Sequence, residues 1–263
     1  MQLRFYGIGR DTVIINNDES NFDWITGSQT HISMSGYRKV FSGFYAGLEY
    51  AYTYSYVKSK DAAGTDRLTS SGIKEDEKIY ESVIVPTFVW DSRNNIFWTT
   101  RGYYANLDLQ FSNQILASTK DYGIVTGWVN GYHSLLKGST KLTLAWHLYT
   151  QLGWGDLPLP RFASYGDGDN VVGYTSGKYV DNSEITAQAE IRYDLWKFIG
   201  AGGYVGTGKV FPSVDMMWKS VWLHFGGVRM YVNIIPSRNI RLRLDLAIAR
   251  KDFGLYIGIG QGF

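Results

Sequence analysis

The sequence contains no cysteine, only five prolines and no long apolar run. The lack of cysteine excludes a disulfide framework and thiol chemistry. No segment approaches the ~18 consecutive apolar residues typical of a membrane-spanning helix. The net charge of +2 is too balanced to indicate a nucleic-acid-binding protein. The first ten residues also lack the apolar core of a signal peptide, so we expect a mature form or a fragment.

Aromatic residues and glycine are abundant, with 20 tyrosines, nine tryptophans and 30 glycines. This composition is typical of twisted strands with aromatic girdles at a membrane interface. A length of 263 residues suits one large β domain, so we predict a single domain over 1–263.

Apolar and polar residues alternate over several segments, and this pattern predicts strands with two different faces. In 103–112 the apolar set opposes Asn106, Asp108 and Gln110, and similar segments begin near 141, 184 and 240. The leucines predicted to face lipid are Leu107, Leu109, Leu142, Leu144, Leu244 and Leu246. Alternation alone also fits a soluble sandwich, in which the apolar face would fill the core.

Strand length and loop length favour the membrane barrel. We predict twelve strands: 1–9, 25–38, 43–57, 79–91, 101–112, 121–136, 140–152, 183–195, 199–210, 219–232, 239–249 and 253–263. Every second connection is short and the others include all the longest loops, as in bacterial barrels with short periplasmic turns. The sequence therefore predicts an all-β, antiparallel transmembrane β-barrel of about 12 strands, with both termini in the periplasm.

Six charged residues fall on the predicted inner faces of these strands. Two readings are open: they line a pore, or they form a self-satisfied salt-bridge network that fills a narrow barrel. The six are Glu184, Glu190, Arg192, Arg241, Arg243 and Asp245.

The sequence offers little support for an enzyme. A serine nucleophile needs a histidine within hydrogen-bond reach, and neighbouring strand residues such as His133 and Ser134 point to opposite faces. The acidic segment Asp167–Asn170 lacks the spacing of a known calcium loop. We therefore predict no catalytic residue, no bound metal and no cofactor.

Four stretches resemble the C-terminal barrel of the BamA/TamA surface-antigen superfamily, in the family's order. They are FYGIGRDT from Phe5, WDSRNNIFWTTRGYYANLDLQF from Trp90, LPRFASYGDGDNVVGYTSGKYVDN with EITAQAEIRYDLW, and the C-terminal GGVRMYVNIIPSRNIRLRLDLAIARKDFGLYIGIGQGF. Family barrels have sixteen strands, and BamA-like members carry periplasmic POTRA domains. This chain is similar to the last twelve strands, in a short form without POTRA domains.

The resemblance implies two candidate sites. The family's sixth extracellular loop carries Val-Arg-Gly-Phe/Tyr, whose Arg meets an acidic group in the lumen. Here the motif reads Val171, Val172, Gly173, Tyr174, and Gly206 or Thr207 stands near the usual acidic position. The loop could fold inward through Tyr174 or remain at the surface. The last strand resembles the family's assembly signal, with Leu255, Ile257, Ile259, Gln261 and Phe263 on one face.

Two functions therefore remain open at this level. One is a BamA-like role in outer-membrane protein assembly or translocation, with client barrel proteins as partners. The other is a barrel without insertase activity, acting as a narrow channel or as a membrane anchor. In both cases we expect the outer membrane of a Gram-negative bacterium, contact with its lipids, recognition by the barrel assembly machinery through the last strand, and a monomer.

Overall fold

A computed structural model of the protein describes residues 2–5, 23–59, 69, 74, 77–166, 171–175, 177–250 and 252–263. Twelve strands form one antiparallel sheet. They are β1 Gln2–Phe5, β2 Asp23–Phe41, β3 Phe44–Ser59, β4 Ile79–Asp91, β5 Gly102–Ser112, β6 Tyr122–Leu136, β7 Ser139–Gly155, β10 Ser183–Asp194, β11 Ile199–Phe211, β12 Leu223–Ile235, β13 Ile240–Ala249 and β14 Asp252–Ile259. The predicted number of strands and the all-β class are thus confirmed.

The long segment 156–182 between β7 and β10, here called loop 6, lies outside the predicted strands but contains a small separate hairpin. Its strands are β8, Ala163–Tyr165, and β9, Tyr179–Asp181. A 3-10 helix, Val214–Lys219, lies where the prediction began a strand at 219. The last strand also ends earlier than predicted, at Ile259 instead of Phe263.

Each strand of the sheet pairs with its neighbour along the chain, except that β7 pairs with β10 across loop 6. Among the described residues, no ladder between β1 and β14 is found, and β1 pairs with β2 over Gln2–Phe5. Residues 6–9 of the predicted first strand lie outside the described residues. Closure through the first and last strands therefore stays a prediction.

The sheet has a buried polar inner face and an exposed apolar outer face. On β10, Glu190 and Arg192 are almost fully buried, whereas their neighbour Ile191 is exposed. The same division places Leu107 and Leu246 on the exposed face. This is the distribution of a membrane barrel, in which apolar side chains face lipid. No helix in the described part of the chain is long and apolar enough to span a membrane.

Candidate functional site

The described residues of loop 6 lie inside the barrel and contact its inner wall at several strands, which favours the inward alternative. On one side, Arg161 forms an ion pair with the fully buried Glu81 of β4, with Nε 2.8 Å from Oε1. Arg161 also donates to Thr53 of β3 over 3.2 Å. On the other side, Lys178 forms an ion pair with Asp252 at the start of β14, over 2.8 Å. The loop thus connects opposite walls of the sheet.

The family-like motif of loop 6 packs against strands β11–β14. The Tyr174 hydroxyl donates to the carbonyl oxygen of His224 over 2.8 Å, and Gly173 donates its amide hydrogen to the Tyr256 hydroxyl over 2.9 Å. Burial raises the pKa of Tyr174 to about 12, which keeps its hydroxyl protonated as a donor. Val171 and Val172 are both buried in the same apolar cluster.

The position of the missing loop Arg is occupied by apolar packing. Val172 joins a cluster that includes Tyr165, Tyr204 and Phe225. Gly206, near the usual acidic position, lies under the Phe225 ring, and a Cβ there would come within 2.2 Å of the ring. An acidic side chain at this position would therefore require the Phe225 ring to move. Replacing a buried ion pair by well-packed apolar groups is often neutral or stabilising, so loop 6 can stay docked without the Arg.

Below loop 6, buried charges form a connected network across β10, β12 and β13. Arg229 contacts Glu190 over 2.7 Å and Asp245 over 3.2 Å, and Arg243 contacts Asp245 over 3.0 Å. Arg192 contacts Glu190 over 3.2 Å. The Tyr231 hydroxyl also donates to Glu190. This arrangement favours the salt-bridge alternative, because each charged side chain of the network contacts at least one of opposite charge within the barrel.

The remaining predicted inner residues lie on the same face but at different places. Arg241 pairs with Asp194 over 2.5 Å near the turn between β10 and β11. Glu184 is buried near loop 6 and accepts a hydrogen bond from Thr186 over 2.9 Å. The site therefore combines four of the six predicted residues in one network. Sequence reasoning missed Arg229 and Tyr231, although they alternate with Val228 and Met230 along β12.

The C-terminal residues correct one prediction. Leu255, Ile257 and Ile259 share an exposed face, but Gln261 and Phe263 do not continue it. Gly260 adopts φ +98°, which ends the strand and turns the chain inward. Glycine allows this conformation without steric cost, and the alternation in the sequence gave no sign of it.

The inward turn places the C-terminal residues against the opposite wall. Gln261 Oε1 accepts hydrogen bonds from the Thr99 amide over 3.1 Å and from Arg192 over 3.2 Å. The Phe263 ring stacks on His147 with centroids 5.2 Å apart. The Tyr132 hydroxyl donates to the carbonyl oxygen of Phe263 over 2.7 Å. Together with the segment 92–100, these residues fill the end of the lumen that carries the short turns.

Comparison with known proteins agrees with this architecture. A model described as the Omp85 superfamily domain matches residues 12–225. The chain belongs to the Omp85 superfamily. Barrels of this superfamily are outer-membrane proteins of bacteria, and the resemblance noted in the sequence is confirmed. No curated protein matches the chain.

Two solved structures show a similar fold. One is the crystal structure of BamA from Haemophilus ducreyi lacking POTRA domains 1–3, with a TM-score of 0.65 and 12% identity, covering 91% of this chain and 54% of that chain. The other is CdiB from Acinetobacter baumannii, with a TM-score of 0.58 and 11% identity, covering 98% and 45%. This chain therefore spans about half the length of these similar proteins.

Proposed function

We propose that this Omp85 barrel takes part in outer-membrane protein assembly or translocation by offering the edge of β14 to a strand of a client protein. The observation that carries the proposal is the edge of β14 that faces away from β13, here called the seam, where no ladder is found among the described residues. β14 pairs with β13 over eight residues, whereas the described part of β1 has four residues. Unpaired backbone groups cost several kcal/mol each in lipid, and an added strand would satisfy them.

The filled interior weighs against the narrow channel. Loop 6 crosses the lumen between Glu81 and Asp252, and the network around Glu190 occupies the wall below it. A solute could pass only if loop 6 left its contacts on both walls. The remaining alternative is a membrane anchor without insertase activity, which the absence of the loop Arg at position 172 favours.

We further propose that the barrel acts with a periplasmic partner, because it spans about half of BamA or CdiB. Residues 1–263 would form one domain, monomeric, in the outer membrane of a Gram-negative bacterium. Its own last strand would be recognised by the barrel assembly machinery through Leu255, Ile257 and Ile259. No catalytic role is proposed: His147 Nδ1 lies 2.6 Å from Asn130 Oδ1, which suits a structural histidine.

Site-specific photo-crosslinking in a Gram-negative host tests the proposal. A photoreactive phenylalanine analogue would replace Ile257 on β14 or, as the matched control, Ile191 in the middle of the wall; both side chains are more than half exposed. We expect adducts with newly made barrel proteins at 257 and none at 191. Equal yields of client adducts at the two positions would refute a role of the seam.

A liposome assay separates partner-dependent assembly from independent insertase activity. The folding rate of a small client barrel would be measured with and without the purified chain. We expect no acceleration, because no periplasmic docking domain is present in the assay. A large gain in rate would show that the barrel alone is sufficient. Client adducts at 257 together with no gain support the partner-dependent form, whereas no adducts at all favour the anchor.

A further inference from the structure

A groove of about 610 Å³ crosses the outer wall of the barrel. It follows two parallel rows of residues that run across neighbouring strands at right angles to them. One row joins Leu107, Gly127, Thr150 and Ile185 through the registers of β5, β6, β7 and β10. The other joins Ala105, Val129, Leu148, Ala187 and Thr207.

The groove lies on the lipid-facing side. Leu107 and Leu148 are exposed, whereas Asn106 and Thr186, which lie between the two rows, belong to the opposite face and are buried. Small residues form the floor, chiefly Ala105, Gly127 and Ala187. From β4 to β11 the groove crosses five strand spacings, which is roughly 24 Å.

Large aromatic residues bound the groove at both ends. Phe44, Phe88 and Trp90 lie at the end near the short turns. Trp222, which follows the 3-10 helix Val214–Lys219, lies at the end near the long loops. Tryptophan and tyrosine favour the level of lipid headgroups, so the groove extends across the apolar layer towards one membrane interface.

A hydroxyl group and an ammonium group lie at the end of the groove near Trp222. The Thr207 hydroxyl is buried and has no hydrogen-bond partner within the described part of the chain. Lys209 lies two residues further along β11, on the same outer face, and is almost fully buried. Its ammonium donates to the Met217 carbonyl oxygen over 2.8 Å and lies 4.1 Å from the centroid of the Trp222 ring.

No carboxylate pairs with Lys209 among the described contacts. The nearest charged residues along the chain are on the 3-10 helix Val214–Lys219, where the charges of the exposed Asp215 and Lys219 offset each other. Within the described part of the chain, the charge of Lys209 is therefore left without a counter-ion beside an apolar groove. A buried charge is costly unless it is paired, so an anion at this position would be favoured.

We propose that the groove binds one acyl chain of a phosphorylated glycolipid of the lipid A type, with a phosphate near Lys209 and the acyl linkage near Thr207. The two rows are two residues apart along each strand, which is roughly 7 Å. An extended hydrocarbon chain fits this width, whereas a helix of a partner protein is about 10–12 Å across. The long-loop end faces outward in the predicted orientation, where such a lipid is the anionic component of the outer leaflet.

Gly127 gives a direct way to fill the groove. A Cβ at this position would lie 3.6 Å from the Asn106 carbonyl oxygen and 3.7 Å from Leu107 Cδ1, so a side chain fits without displacing backbone. Gly203 on β11 also has an open outer side, with its nearest heavy atom at 4.0 Å, and does not line the groove. Gly127→Leu and Gly203→Leu are therefore a matched pair.

Native mass spectrometry of the delipidated full chain in detergent would measure binding of diphosphoryl lipid A, its dephosphorylated form and phosphatidylglycerol. We expect Gly127→Leu to weaken lipid A binding at least tenfold and Gly203→Leu to leave it unchanged. Lys209→Met should abolish the preference for the phosphorylated form. Equal binding by the two leucine variants, or binding of phosphatidylglycerol as tight as lipid A, would overturn the proposal. The glycine pair decides the question even if Lys209→Met fails to fold.

Discussion

Arg161 and Glu81 form an ion pair across the lumen although 80 positions separate them in the sequence. Arg161 lies in the 3-10 helix Leu159–Arg161 of loop 6, and Glu81 lies near the start of β4. The Tyr122 hydroxyl of β6 donates to the same carboxylate. Loop 6 therefore has a charged attachment on the wall opposite the one that holds Tyr174.

Removing Arg161 should weaken this attachment more than removing the charge of Glu81. Glu81 is fully buried, whereas the Arg161 side chain retains 20% exposure and can turn to water. Breaking a buried pair by removing one partner costs about 3 kcal/mol or more. We expect Arg161→Met to lower the free energy of unfolding by about 3 kcal/mol and Glu81→Gln by less.

Urea unfolding in lipid vesicles, together with hydrogen exchange of residues 156–166, would measure both effects. Arg238→Met in the exposed turn before β13 is the control and should change neither quantity. The double variant Arg161→Met/Glu81→Met should cost less than the sum of the single changes, because no uncompensated charge remains. If the double variant lost as much unfolding free energy as the two single variants together, the ion pair would not couple loop 6 to β4.

Arginine on the outer face should destabilise the barrel according to depth in the membrane. Leu148 lies close to the middle of β7, Ser139–Gly155, and Leu144 lies nearer to a turn on the same face. Leu148→Arg should cost about 2–4 kcal/mol, and Leu144→Arg should cost less. Unfolding free energies in vesicles would test this order. If neither changed, the assigned orientation of β7 would be wrong.

The sequence predicted the strands well because alternation is a local property of the chain. Eleven or so residues of β5 and β10 are enough to show which side chains share a face. It did not predict the contact of Arg161 with Glu81, since loop residues have no periodicity and the partner lies on a distant strand. In the amino-acid sequence, the alternation of β14 also continues through Gln261 and Phe263. Only the backbone conformation of Gly260 reveals the inward turn.

Asp181 in the hairpin of loop 6 should make stability depend on pH. Burial raises its pKa to about 6, above the usual value of an aspartate. The folded state therefore retains a proton that the unfolded state releases, and stability decreases as pH rises from about 4 to 6. Above that range the charged carboxylate remains buried at a constant cost.

Asp181→Asn removes this charge and retains a side-chain oxygen to accept the Asn182 amide hydrogen. We expect the variant to be more stable than the native protein by about 3 kcal/mol at pH 7.5, and the difference to become small near pH 4. Unfolding curves across this range would measure it. A difference that did not vary with pH would show that the carboxyl group titrates normally.

The last prediction concerns closure of the barrel. β14 and the described part of β1 are the two ends of the sheet, and both would leave backbone groups unpaired in lipid if they stayed apart. Pairing within one chain loses less association entropy than pairing between two chains, so we expect closure of β14 on β1. The four described residues of β1 would then cover half of the eight residues of β14, at the seam on which the proposed function rests. Cysteines introduced at Phe5 and Ile257 should crosslink within one chain, giving a monomer of altered mobility in gels.

Cysteines at Phe5 and Ile191 are the control and should not crosslink, because β10 lies within the sheet between β7 and β11. Crosslinks formed only between chains would mean that two copies share the seam, and the prediction of a monomer would be wrong.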